Sequence, residues 1–185
     1  MTKVLNAAGG YDLSGSRLQG LGTGTASTDA VTKAQLDGLS AFVRKTSDQD
    51  RQSVTSLADD SQLLLSVAAN TTYLMDLLVI VNSPTAADFK LGWSGPSGAV
   101  LEWVTNAPHT AQTNFDSSTV SVNRLGIGSG ADAAGFGADV IYRPSGLLIV
   151  SSTAGTLTFR WAQTTSTASN TTVKANSILT LRKVA

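Results

Sequence analysis

The chain has one histidine, His109, in the stretch Asn106-Ala107-Pro108-His109-Thr110. An imidazole works in hydrolysis when it takes a proton from a neighbouring nucleophile while a carboxylate orients it. No nucleophile-elbow pattern accompanies His109, and the adjacent proline reads as loop. There is no cysteine, which excludes a disulfide framework and a thiolate metal site. A lone histidine is a poor start for a catalytic zinc, which takes three protein ligands. Asp132 and Asp139 form the one acidic pair that suggests calcium. Calcium takes six to eight oxygens, and EF-hand spacing is absent here. Two glycine runs, Gly20-Leu21-Gly22-Thr23-Gly24 and Gly126-Ile127-Gly128-Ser129-Gly130, lack the G-x-G-x-x-G spacing of a dinucleotide loop. They read as flexible loops, as does Ala131-Asp132-Ala133-Ala134-Gly135 after the second. This inventory predicts a protein that is not an enzyme, with no catalytic residues, no cofactor and no metal.

Trp93, Trp103 and Trp161 raise a different chemistry, since a flat indole can stack on a sugar ring. Each lies in a β-patterned stretch beside other apolar residues: Leu91 near Trp93, Leu101 and Val104 near Trp103, Phe159 near Trp161. That context predicts core or subunit interface. Asn70-Thr71-Thr72 and Asn170-Thr171-Thr172 fit the glycosylation pattern, which has meaning only in a secreted chain. Thirteen basic and thirteen acidic residues balance to zero, so the basic footprint of a nucleic-acid binder is missing. Only 14% of residues are charged, against roughly 25% in an average domain. Ser, Thr, Gly and Ala take their place, a composition that suits packing into an assembly. The most apolar run, Leu74 to Val81, contains Asp76 and is too short to span a membrane. The first ten residues lack the apolar core of a secretory leader, so synthesis in a cytoplasm without export by a leader is expected.

The elements that would position these residues fall into three parts. Residues 1–26 form a Gly-rich arm that cannot fold alone, with Val4, Leu5, Tyr11, Leu13, Leu18 and Leu21 spaced along it as candidate anchors. Residues 27–60 read as a short helix, about 28–45, followed by a charged linker from Thr46 to Asp60. Thr28 suits an N-cap, and Asp29 suits the positive end of the helix dipole. Leu36, Leu39 and Val43, with Phe42 alongside, form one apolar stripe. A lone helix of this length is marginal in water. The stripe therefore needs a partner, either the chain's own body or the same helix in two other subunits. Residues 61–185 alternate in the β manner, with eight to ten strands at short spacing and no internal repeat. Such a count predicts an antiparallel β-sandwich or barrel.

The stretch from Gly24 to Asp37, GTASTDAVTKAQLD, resembles a segment that recurs in tail fibres, head fibres and other surface proteins of tailed bacteriophages. A looser resemblance covers Asn70-Thr71-Thr72-Tyr73, Phe89 to Ala99 (FKLGWSGPSGA), Ala154-Gly155-Thr156-Leu157 and Trp161-Ala162-Gln163. These segments look like the C-terminal β-sandwich of phage head-decoration and fibre proteins, which resembles a trimeric jelly roll of the tumour-necrosis-factor kind. The resemblance implies a structural virion protein on the capsid surface, made in the host bacterial cytoplasm. Its implied partners are two more copies of itself, in a homotrimer, and a major capsid protein or other virion protein. The alternative is a tail-fibre or receptor-binding tip that grips a host-surface glycan. The short arm and the lack of a repeated shaft favour decoration. Neither reading involves nucleic acid or a membrane.

Overall fold

The computed structural model describes residues 20–26, 28–32, 36, 39–110, 120–121 and 123–184. The chain divides into two units, Met1–Leu36 and Asp37–Ala185. In the first, the Asp29 carboxylate accepts the amides of Thr25 and Ala26, each at 2.8 Å. Those bonds, Ala26 first, hold its pKa below the ordinary carboxylate value. Residues 28–32 form a turn, a bend and irregular chain, not the first turns of a helix. A single helical-type bond, from the Leu36 amide to the Thr32 carbonyl, follows them.

The second unit is mainly β, with fifteen strands among the described residues. They are β1 (Ser40–Arg44), β2 (Gln49–Arg51), β3 (Ala58–Val67), β4 (Thr71–Asn82), β5 (Phe89–Ser94), β6 (Val100–Val104), β7 (Ala107–Pro108) and β8 (Val120–Ser121). β9 (Leu125–Gly126), β10 (Ala131–Ala133), β11 (Asp139–Tyr142), β12 (Ser145–Val150), β13 (Gly155–Gln163), β14 (Thr171–Val173) and β15 (Ile178–Lys183) complete the chain. The larger sheet runs β1-β15-β4-β12-β6-β9, with β11, β14 and β2 joined beyond the second half of β4. The smaller runs β10-β5-β13-β3, and β7 pairs β8 apart from both. All pairings are antiparallel. The long strand β4 is the spine of the larger sheet: its first half pairs β12 and β15, and its end pairs β11 and β14.

The core lies between the two sheets. β4 sends every second residue inward, so Met75, Leu77, Val79 and Val81 are buried while the residues between them face out. Period-two alternation of this kind is what a pleated strand imposes. Leu91, Trp93, Leu157, Phe159 and Trp161 meet them from the smaller sheet. Trp93 meets Trp103 edge-on, with ring centres 6.4 Å apart, and lies 5.3 Å from Phe159. The three tryptophans are thus core. Gly146 makes room for one of them: a Cβ there would lie 2.5 Å from the Glu102 carbonyl oxygen and 2.8 Å from the Trp103 Cβ.

The expected helix over 28–45 is corrected at its C-terminal end by β1; Leu36 is helical, and residues 33–35 and 37–38 lie outside the described residues. Ser40–Arg44 pairs residue by residue with Arg182–Ile178 of β15. Leu36, Leu39 and Val43 match a helical stripe, but residues 42–43 match a strand equally well. Pairing with the end of the chain supplies hydrogen bonds and burial that local propensity cannot outweigh. The expected linker over 46–60 is corrected as well, because the β body begins at Ser40 and not at Ser61. Three of its carboxylates are paired: Asp48 with Lys174, Asp59 with Arg160 and Asp60 with Lys45. Lys45 is buried and donates to both Asp60 oxygens at 2.9 Å and to Gln49 at 3.1 Å. Asp60 also accepts the Trp161 indole N–H and the amides of Gln62 and Leu63. Burial raises the Asp60 pKa, but the Lys45 hydrogen bond and the two amides outweigh it and hold the carboxyl below its ordinary value. Arg51 lies 4.0 Å over the Trp161 ring and donates to the carbonyls of Ala58, Asp59 and Trp161.

Candidate assembly interface

The outward face of the larger sheet is the feature that ordinary fold construction does not explain. An antiparallel sheet that faces water on one side alternates apolar-in with polar-out. Here the outward positions of β4 include Leu74, Leu78 and Ile80. Those of β12 include Leu147 and Ile149, and those of β6 include Val100 and Val104. β1 adds Phe42, which is 72% exposed, and β11 adds Ile141. The registers align these residues in rows. One row is Phe42, Thr180, Asp76, Ser145, Val104; the next is Ser40, Arg182, Leu74, Leu147, Glu102. A third carries Thr72, Ile149 and Val100.

A groove of about 720 Å³ opens on this face. Leu74, Met75, Trp103, Val104 and Leu147 line it, and Asp76, Glu102, Arg124, Thr180 and Arg182 stand around them. Asp76 is bonded to Arg143 at 2.8 Å, and Glu102 lies 3.5 Å from Arg124. Both pairs are solvent-exposed, where such contacts contribute little. The site offers apolar area and shape with a thin charged margin.

The structure separates the residues that the sequence grouped together. Val4, Leu5, Tyr11, Leu13 and Leu18 lie outside the described residues, and Leu21 is exposed. Leu36 is exposed in the first unit, and Leu39 is exposed in the turn before β1. Phe42 and Val43, adjacent on a strand, point to opposite faces. Phe42 lies on the outward side, while Val43 pairs with Leu179 and packs against the core. The stripe Leu36, Leu39, Phe42, Val43 is therefore not one surface. Asp132 accepts the Thr164 hydroxyl and Asp139 accepts the Asn82 amide, both at 2.8 Å. Among the described residues no cluster of three or more His, Asp or Glu is arranged to hold a metal. His109 follows β7 in a loop. Sequence reasoning missed the outward apolar face, although the near-continuous run Leu74 to Val81 carried its signal: both faces of that strand are apolar.

No protein-family model matches this chain, and no curated protein is significantly similar to it. Among solved structures it is similar to the tripod (BppUct-A-L) from the baseplate of bacteriophage Tuc2009. That likeness has 9% identity and a TM-score of 0.36, over 98% of this chain and 84% of that one. It is also similar to a chain of infectious bursal disease virus Gx strain, at 8% identity and a TM-score of 0.34. That match covers 77% of this chain and 32% of the other, so this chain spans about a third of its length. Likeness this distant fixes no function.

Proposed function

We propose that this protein is a structural component of a tailed-phage virion, decorating the capsid surface as a homotrimer held by its N-terminal arm. The observation that carries the assembly half is the apolar outward face of the larger sheet, with Phe42, Leu74, Val100, Ile141 and Ile149 all exposed in the single chain. Large exposed apolar patches mark association surfaces. The strand order supports a jelly roll. β1-β15-β4-β12 faces β3-β13-β5-β10, and the chain crosses between the sheets from β3 to β4 to β5 to β6 and again from β12 to β13, as interlocked Greek keys do. The virion half rests on the Gly24 to Asp37 resemblance. The alternative, a receptor-binding tip, loses its best glycan platform because Trp93, Trp103 and Trp161 are buried.

The test has two parts. Light scattering should give three times the chain mass of 19.0 kDa; a monomer at all concentrations would refute the trimer. Deleting residues 1–26 should leave a folded body that no longer co-sediments with particles lacking the protein. Three weak arms acting together give tight attachment, so loss of all three should abolish it. Full decoration by the truncated protein would refute the arm as anchor.

A further inference from the structure

The two sheets meet at a seam where β1 of the larger lies beside β3 of the smaller without a shared hydrogen-bond ladder. The pair Lys45–Asp60 spans that seam: Lys45 follows β1 directly, and Asp60 lies in β3. Both side chains are fully buried. A salt bridge so enclosed contributes little by itself, because desolvation offsets the attraction. It is also an amine, a nucleophile once unprotonated, held against a carboxyl group. We infer that Lys45 and Asp60 condense into a side-chain amide that staples the two sheets covalently.

Nζ lies 2.9 Å from both Asp60 oxygens. An atom so placed is at most about 3.3 Å from the carbon between them, within the near-attack range of about 3–3.5 Å. Oδ1 accepts the amides of Gln62 and Leu63, each at 2.9 Å. Two backbone donors on one oxygen stabilise the charge of a tetrahedral intermediate. Oδ2 accepts the Trp161 indole N–H at 3.0 Å, which puts a donor on the oxygen that leaves. Gln49 Oε1 is fixed by the Ser61 amide and hydroxyl, and it accepts from Nζ at 3.1 Å and orients it.

The condensation needs no co-reactant. Nζ first gives one proton to Oδ2, leaving a neutral amine and a neutral acid. The amine lone pair then forms the Nζ–Cγ bond. A second Nζ proton passes to Oδ2, and the Cγ–Oδ2 bond breaks. One water leaves, the two charges cancel, and nothing is oxidised or reduced. Burial is the largest influence on the Asp60 carboxyl and opposes its charge, which favours the neutral pair. The Lys45 hydrogen bond and the two amides nevertheless hold it ionised at rest. The reactive form is therefore a minor one. The newly folded chain keeps its ion pair, and the amide accumulates with time.

Intact mass measured on denatured protein tests this. Wild-type protein incubated after refolding should lose the mass of one water. Trypsin should then leave residues 45–51 joined to residues 52–90, uncut after Lys45. Lys45→Met should keep its full mass. An unchanged wild-type mass after prolonged incubation would overturn the inference. So would an equal loss of water from Lys45→Met, which ring closure at an aspartate would explain. Loss of one ammonia, with Lys45 joined to Gln49, would overturn Asp60 as the acceptor. The joined peptides decide the matter from wild-type protein alone, even where Lys45→Met folds poorly.

Discussion

Asp60→Ala should be among the most damaging single changes in the β body. The substitution leaves Lys45 buried with no opposing charge and removes the acceptor for the Trp161 indole and the Gln62 and Leu63 amides. Breaking a buried ion pair from one side costs about 3–5 kcal/mol. A domain of this size loses roughly 2–4 °C of melting temperature per kcal/mol, so a fall on the order of 6–20 °C is expected. Lys45→Met should cost less, because Asp60 keeps three donors after the cation is gone. The two variants should also differ in their response to acid. In the wild type Asp60 titrates below its ordinary value. Its contribution is therefore complete above the unfolded pKa, about 3.9, and drains away as the pH falls through the folded value. In Lys45→Met the burial that opposes ionisation loses its main counterweight, the Lys45 hydrogen bond, and the Asp60 pKa moves up from its wild-type position. The variant's deficit should then shrink as the pH falls toward about 4, while the wild type holds until lower pH. Urea unfolding followed by tryptophan fluorescence between pH 7 and 3, at one fixed protein concentration, measures both effects. An Asp60→Ala loss under about 1 kcal/mol, or a Lys45→Met deficit that grows on acidification, would refute the argument.

Two further changes probe the packing beneath the outward face. Trp103→Ala should cost about 3–5 kcal/mol through lost burial and a cavity, lowering the melting temperature; an unchanged melting temperature with loss of glycan binding would instead favour the receptor-tip reading. Gly146→Ala should destabilise by about 1–3 kcal/mol, the usual cost of overpacking, because its Cβ meets the Glu102 carbonyl and the Trp103 Cβ; a neutral effect in chemical denaturation would mean the β12–β6 spacing relaxes freely.

Much of the β architecture was legible in the residues alone. The alternation in β3, β4, β13 and β15 and the turns around Pro84, Pro96 and Pro144 located those strands, because period two and turn chemistry are local properties of the chain. The apolar neighbours of Trp93, Trp103 and Trp161 correctly implied core. β10, made of Ala131–Ala133, was read as loop because small residues carry little pattern of either kind. β2, Gln49–Arg51, was read as linker because its residues are polar.

What the tertiary structure decided depends on residues far apart in sequence. Val43 and Phe42 fit a helix stripe until Ser40–Arg44 pairs with the last strand, which turns one inward and the other outward. Asp60 looks like the end of a charged linker until the fold encloses it with Lys45 and Trp161. The sequence alone determined a net-neutral, cysteine-free, strand-rich chain with an apolar β4, since composition and period are written residue by residue. Which of the two apolar faces of β4 is core and which stays outward was decided only when the smaller sheet closed over Met75, Leu77, Val79 and Val81, because burial belongs to the packed pair of sheets and not to the strand.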